Sequence, residues 1–270
     1  GWGWMTNSVV PFPGFEELKA AVNKLCAELS MLQLEHDELL YVECKNIETA
    51  YMLAIGGLEY KAYEVECAIL RLKRKIELIR AKKNRQEKVV LSEIEERLDA
   101  EFAQYQERLN EQIARMNAAL ERKKSTPLSE KETRELKKLY RSIVRSLHPD
   151  INPDQDQVKR QLFDNAVVAY KNGDLDGLRA ISVMVAGSTL PGEPTSSTSQ
   201  LLKEKERLSK LLQGLKEKIA ALKSEYPYTV KSLLLDPEQV QARKARLKSR
   251  IEELNLNLAA YKAKIEEMLG

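Results

Sequence analysis

His148-Pro149-Asp150 sets a titratable imidazole, a backbone lock and a carboxylate side by side, directly after a segment with two contrasting faces. Arg134, Lys137, Lys138, Arg141 and Arg145 recur at helical spacing along one face. Leu136, Leu139, Tyr140, Ile143, Val144 and Leu147 recur along the other. The apolar stripe suits a core, and the cationic stripe, which carries no acid, suits an acidic surface. Pro149 has no N–H and pushes the residue before it out of the helical region, so the helix must stop at about Leu147. His148 then stands just beyond a helix C-terminus, where positive charge is favoured. Asp150 falls in a loop stiffened by Pro153 and can accept charge-assisted hydrogen bonds. This is chemistry of recognition rather than catalysis, because a general base needs a pocket and a nucleophile and the sequence supplies neither.

Other reactive residues read more simply. His36 occupies a heptad seam position, where a polar side chain sets register, in preference to acting as a metal ligand. Cys26, Cys44 and Cys67 are odd in number and widely spaced with no CxxC, which argues against a zinc ribbon or redox motif. They read as small buried hydrophobes in a reducing cytoplasm. The cations Arg71, Lys73, Arg74, Lys75, Arg80, Lys82 and Lys83 are interleaved with Glu64, Glu66 and Glu77 and lack aromatics. They read as a solvated helix surface, and nucleic acid is the weaker reading. No metal or cofactor is expected.

The elements that must carry these residues are helices. About half of the chain is Ala, Leu, Glu, Lys or Arg, the signature of long helices or coiled coil. The formal net charge of +3 gives no global field for nucleic acid. No apolar run is long enough to span a bilayer, and no secretory h-region is visible. Leu18, Val22, Leu25, Leu29, Leu32 and Leu39 form a heptad seam. A second seam runs from Ile47 to Ile79 straight through Gly56 and Gly57, so that helix is kept continuous. A third amphipathic helix runs from Ile94 to Leu120. Breaks are expected near Val42–Asn46 and Asn84–Lys88. Ser129 to Glu132 reads as a capping box, a further helix runs from about Asp156 to Lys171, and Asn172-Gly173 ends it. Two more seams, Leu208–Leu222 and Leu247–Met268, follow, the second opened by Asp236 as N-cap and Pro237. Tyr226-Pro227-Tyr228 reads as packing at the connection between them.

A basic helix, an HPD tripeptide, a short loop with Asn-Pro and a helix ending in Ala-Tyr resemble a J-domain of the DnaJ family. The residues that carry the likeness are Tyr140, Arg141, Leu147, His148-Pro149-Asp150, Asn152-Pro153, Phe163, Ala169 and Tyr170. The resemblance covers residues 129–186 only. It implies an antiparallel helix pair with HPD at its tip, docking on the ATPase domain of a DnaK-type (70-kDa heat-shock) chaperone and stimulating ATP hydrolysis. Carried over, His148, Pro149 and Asp150 are the stimulatory triad, and Lys137, Lys138, Arg141 and Arg145 are the docking face. The family's short first helix is absent before Ser129, so another element must cover that side; the end of the Ile94–Leu120 helix is the candidate. Ile151 stands where the family is often basic, as do Ser142 and Ser146, and Gly/Phe-rich and zinc-binding regions are missing.

The expected architecture is therefore all-α: a long antiparallel helical bundle or coiled coil, a J-domain-like helical pair and a C-terminal coiled-coil hairpin. Residues 1–14 read as a disordered, tag-like start, 15–125 as a three-helix coiled-coil bundle, 128–186 as the J-like unit, 187–199 as a linker and 200–270 as the hairpin. The expected function is a non-enzymatic, cytoplasmic co-chaperone with a DnaK-type partner, an unknown client held by the arms and homo-oligomerisation open. The alternative is a structural scaffold whose J-like unit activates no chaperone.

Overall fold

The structure, a computed structural model, describes residues 14–186 and 197–270. The expected start at 1–13 and most of the linker, 187–196, lie outside the described residues. Among the described residues every regular element is helical and none is a strand. The chain divides into two compact units.

The first unit gathers residues up to Cys44 with Thr126–Tyr226. It contains α1 (Phe15–Glu38), a π-helical turn Leu39–Glu43, α6 (Glu130–Leu147), α7 (Gln157–Lys171), α8 (Leu175–Val185) and α9 (Thr198–Ser224). α6 starts where the sequence says it should, with Ser129 Oγ accepting from Glu132 N–H and Glu132 accepting from Ser129 N–H. α7 opens on the Asp156 side chain, and Gly173 ends it at φ +64°, a conformation that glycine adopts without strain. α6 and α7 are antiparallel: Tyr140 stacks on Tyr170 at 4.1 Å between ring centroids, and His148 meets Phe163 at 5.0 Å, nearer the connecting loop on both helices. α8 closes over this pair, with Leu178 and Ile181 buried and Arg179 forked onto Glu135 at 2.7 and 2.8 Å. α1 and α9 complete the core. Val22 and Leu29 of the first seam share one buried core with Leu208 and Leu215 of α9 and with Tyr140 and Ile143 of α6.

The second unit gathers Lys45–Ser125 with Pro227–Gly270. It contains α2 (Cys44–Tyr51), a π-helical turn Met52–Gly56, α3 (Gly57–Asn84), α4 (Leu91–Glu101), α5 (Ala103–Lys124), the short α10 (Lys231–Leu234) and α11 (Pro237–Leu269). The α2–α3 run and the α4–α5 run are antiparallel: Arg71 of α3 reaches Asp99 at 2.7 Å, and Arg122 reaches Asn46 of α2 at 2.8 Å. α11 lies along α3 in the same direction. Arg250 reaches Glu66 at 3.0 Å, and Lys73 stands 5.5 Å from the Tyr261 ring. Ala62, Val65 and Ile69 pack on Leu254, and Ile76 and Ile79 pack on Ile265.

Several expectations need correction. The break near Val42–Asn46 is absent: helical geometry continues from α1 through the π-turn at Leu39–Glu43 into α2. The single helix over Ile94–Leu120 is two, interrupted at Phe102 with φ −103° and ψ 12°. The segment 15–125 is not one bundle, because its α1 stretch packs with the J-like unit. The 200–270 hairpin does not form as a self-packed pair: α9 buries its seam on α1, and α11 buries its seam on α3. Both pairings are parallel. Along α1, Cys26 lies within electrostatic reach of Arg207, and Leu34 and Glu38 further on line a groove with Leu212 and Lys216. The reason is that heptad seams of Leu and Ile are interchangeable, so each C-terminal stripe finds an equally good N-terminal partner. The linker also ends earlier than expected, because Ser197 and Gln200 form a second capping box that starts α9 at Thr198.

Candidate functional site

α6 ends at Leu147, and His148 takes the extended conformation (φ −60°, ψ 129°) that the following proline favours. The backbone then turns sharply and its polar groups are accounted for locally. The N–H groups of Ile151 and Asn152 donate to His148 O at 3.0 and 2.8 Å. The Asn152 side chain, buried beside them, donates to Arg145 O and His148 O at 3.2 and 3.1 Å. Gln155 donates to Leu147 O at 2.6 Å. Two side-chain amides therefore cap the orphan carbonyls of α6 and fix the tripeptide loop, as helix ends require.

Within that loop Asp150 N–H donates to His148 Nδ1 at 3.1 Å, which assigns the ring proton to Nε2. The imidazole edge rests on Phe163. Burial pushes its pKa below the ordinary histidine value, against the Asp150 and Asp37 carboxyls, which pull the other way. The neutral form is thus the resident one, and the positive charge expected at this helix end is not needed. His148 and Pro149 are half-buried, and Asp150 is exposed.

The cationic face is divided. Lys138 and Arg141 are exposed, as is Arg134, and among the described residues these three make no ion pair. Arg145 is half-buried and likewise has no ion pair there. Lys137 departs from the expected acid-free stripe: it reaches across to Glu38 of α1 at 2.7 Å. The element that packs on this side of α6 is α1, not the end of the Ile94–Leu120 helix that was the candidate.

The α1–α6 contact holds a polar centre that the sequence reading did not single out. Asp37, 3% exposed, accepts from Tyr140 Oη at 2.6 Å and from Gln33 Nε2 at 2.9 Å, and its Oδ1 lies 2.9 Å from His36 Nδ1. Burial, with the Asp37 carboxyl beside it, pushes the Tyr140 phenol well above its ordinary value. His36 therefore sits beside a buried carboxyl instead of merely setting register. The only sequence sign of Asp37 is an acid next to a heptad seam, and its partner lies 103 residues away.

No family model matches this chain, and no curated protein or solved structure matches it. The site is therefore judged on its own geometry. Among the described residues no group of His, Cys, Asp and Glu could hold a metal ion, and no helix is long and apolar enough to cross a membrane. Cys44 and Cys67 are buried, Cys26 is half-buried, and none of the three is in a disulfide.

A last feature came from outside the tripeptide. Arg207 of α9 donates to Asp150 O at 2.7 Å while its Nε donates to Glu204 at 2.9 Å. Beside this contact lies a cleft of about 290 Å³, bounded by Asp150, Gln33, Arg207, Lys210, Gly214 and Lys218.

Proposed function

We propose that this chain is a DnaJ-like co-chaperone, whose HPD loop and α6 cations dock on a DnaK-type (70-kDa heat-shock) chaperone and stimulate its ATPase. The single observation that carries the reading is the antiparallel α6–α7 pair with His148-Pro149-Asp150 at its turn, flanked by the unpaired, exposed Lys138 and Arg141. Exposed cations beside a rigid loop steer an acidic partner and fix its register. His148, Pro149 and Asp150 act as the stimulatory triad, with Arg141, Lys138 and Arg145 as the docking face; Lys137 contributes less, because Glu38 already neutralises it. The helical arms α1–α9 and α3–α11 offer their outer surfaces to a client or a second copy, and cysteines outside any disulfide suit the cytoplasm.

The test is steady-state ATP hydrolysis by the same organism's DnaK-type chaperone, with the wild-type chain and with His148→Gln. Stimulation by the wild type and its loss in the variant is the expected result. Equal rates for the two remove the reading. A second reading, a scaffold whose J-like unit only packs, is favoured by one observation: Arg207 and Glu38 already engage the loop and the α6 face from within the same unit. In that case neither protein stimulates turnover.

A further inference from the structure

We propose that Arg207 of α9 is a positioning residue for the tripeptide loop, holding the backbone so that the Asp150 carboxylate meets a docked chaperone in one direction. The inference deepens the chaperone-docking reading and rests on it. It starts from the hydrogen bonds of the loop. Ile151 N–H, Asn152 N–H and the Asn152 side chain return to His148 O or Arg145 O, and Gln155 returns to Leu147 O. Asp150 N–H donates to His148 Nδ1. All of these bonds stay within residues 145–155. The Asp150 carbonyl is served from elsewhere: Arg207 Nη1 donates to it at 2.7 Å, from 57 residues along the chain. The N–H and C=O of Asp150 are then both held, which fixes the backbone that bears the carboxylate. Asp150 is exposed, and its carboxylate makes no ion pair among the described residues. Arg207 therefore holds the loop without occupying the group that the partner would read.

The guanidinium is set by its own helix. Its Nε and Nη2 donate to the two carboxylate oxygens of Glu204, three residues back on α9, which leaves Nη1 to reach the loop. A two-point pairing of this kind fixes the plane of the guanidinium. Leu208, next in the chain, is fully buried in the core that α9 shares with α1 and α6, which pins the turn carrying Arg207. Contacts thus run from the buried seam, through a forked guanidinium, to the peptide after Asp150. Glu204 balances the charge of Arg207, so the pair adds little to long-range attraction. Encounter belongs to Lys138 and Arg141, and Arg207 governs the geometry once the partner is seated.

The experiment titrates the full chain against the same DnaK-type chaperone and reads half-saturating concentration and maximal ATPase stimulation separately. Arg207→Ala should cut maximal stimulation about threefold or more and keep half-saturation within about twofold, because the α6 cations are untouched. Arg207→Lys still reaches the carbonyl but cannot fork onto Glu204, and should recover part of the maximum. The Asp150 carbonyl carbon resonance should move in Arg207→Ala while the melting temperature falls by no more than about 3 °C. If Arg207→Ala melts below the assay temperature, Glu204→Gln, which breaks the fork and keeps the arginine, is read against the same thresholds. A smaller fall in maximal stimulation, or a rise, overturns the positioning role. So does a raised half-saturating concentration with the maximum kept, which makes Arg207 a docking contact. Either result leaves the docking reading standing. No stimulation by the wild type above His148→Gln instead removes the docking reading itself, and this proposal with it.

Discussion

On α3, Arg71 reaches Glu95 and Asp99, Arg74 reaches Glu77 and Glu101, Lys75 reaches Glu95, and Lys82 reaches Glu87. Lys83 donates to the Met268 carbonyl. On α6, Arg134, Lys138 and Arg141 face solvent with no acid within ion-pair reach among the described residues. Both helices show clustered cations in sequence, yet α3 turns Arg71, Arg74, Lys75 and Lys82 onto acids and leaves Lys73 and Arg80 without an ion pair among the described residues, whereas of Arg134, Lys137, Lys138, Arg141 and Arg145 on α6 only Lys137 is paired. A cationic cluster is therefore not evidence of a binding face until the helices packed against it are known.

The largest expected effect breaks the seam that aims α6. Asp37→Ala leaves the fully buried Tyr140 hydroxyl without an acceptor, which should cost about 2–3 kcal/mol of stability in denaturant unfolding. Replacing both partners, Asp37→Leu with Tyr140→Phe, should recover part of that loss, since no buried donor is then stranded. If Asp37→Ala alone leaves the unfolding midpoint unchanged, the polar centre does not hold α6 on α1.

Next in size is charge reversal on the two faces. Lys138→Glu with Arg141→Glu should weaken chaperone docking by about tenfold or more while the melting temperature stays put. Arg71→Glu should do the opposite: it places a third acid beside Glu95 and Asp99 and should cost about 1–2 kcal/mol, with docking untouched. If both substitutions change stability alike, or both change docking alike, the contrast between the faces fails.

The local features were legible in the sequence and the pairings were not. Ser129 with Glu132, the apolar stripe ending in Leu147, and Pro149 as a stop signal all act within one turn of the chain, and the structure has them where the pattern puts them. The helical class follows in the same way. Which seam meets which was hidden, because Leu208 and Leu254 carry no address: α1 and α3 present equivalent stripes, and burial rewards either match. The break expected near Val42–Asn46 is instead helix that follows a π-turn at Leu39–Glu43, and the extra residue of a π-turn interrupts a heptad much as a helix end does. Asp37 and Arg207 gave no signal on their own, since each acquires meaning only from a residue far along the chain.

The smallest expected effect separates the two units by pH. His148 binds its proton more weakly folded than unfolded, because burial disfavours the imidazolium. A depressed pKa gives stability that is complete above the unfolded value, about 6.5, and is lost as pH falls through the folded one. The first unit should therefore begin to loosen on acidification from about pH 7. In the second unit, Glu95 is held below the ordinary carboxylate value by Lys75 and Arg71, and Glu101 by Arg74. The same sign applies, but the window opens only below the unfolded carboxylate value of about 4.3. Amide hydrogen exchange followed region by region at pH 7, 6 and 5 (about one unit apart, to span the imidazole window) should show faster opening in α6 and α7 and steady protection in α3 and α4. His148→Gln should remove the difference. Equal acceleration in both regions, or its persistence in the variant, would place the acid sensitivity elsewhere than the His148 ring and would leave the tripeptide loop without its neutral imidazole as the pH-dependent element.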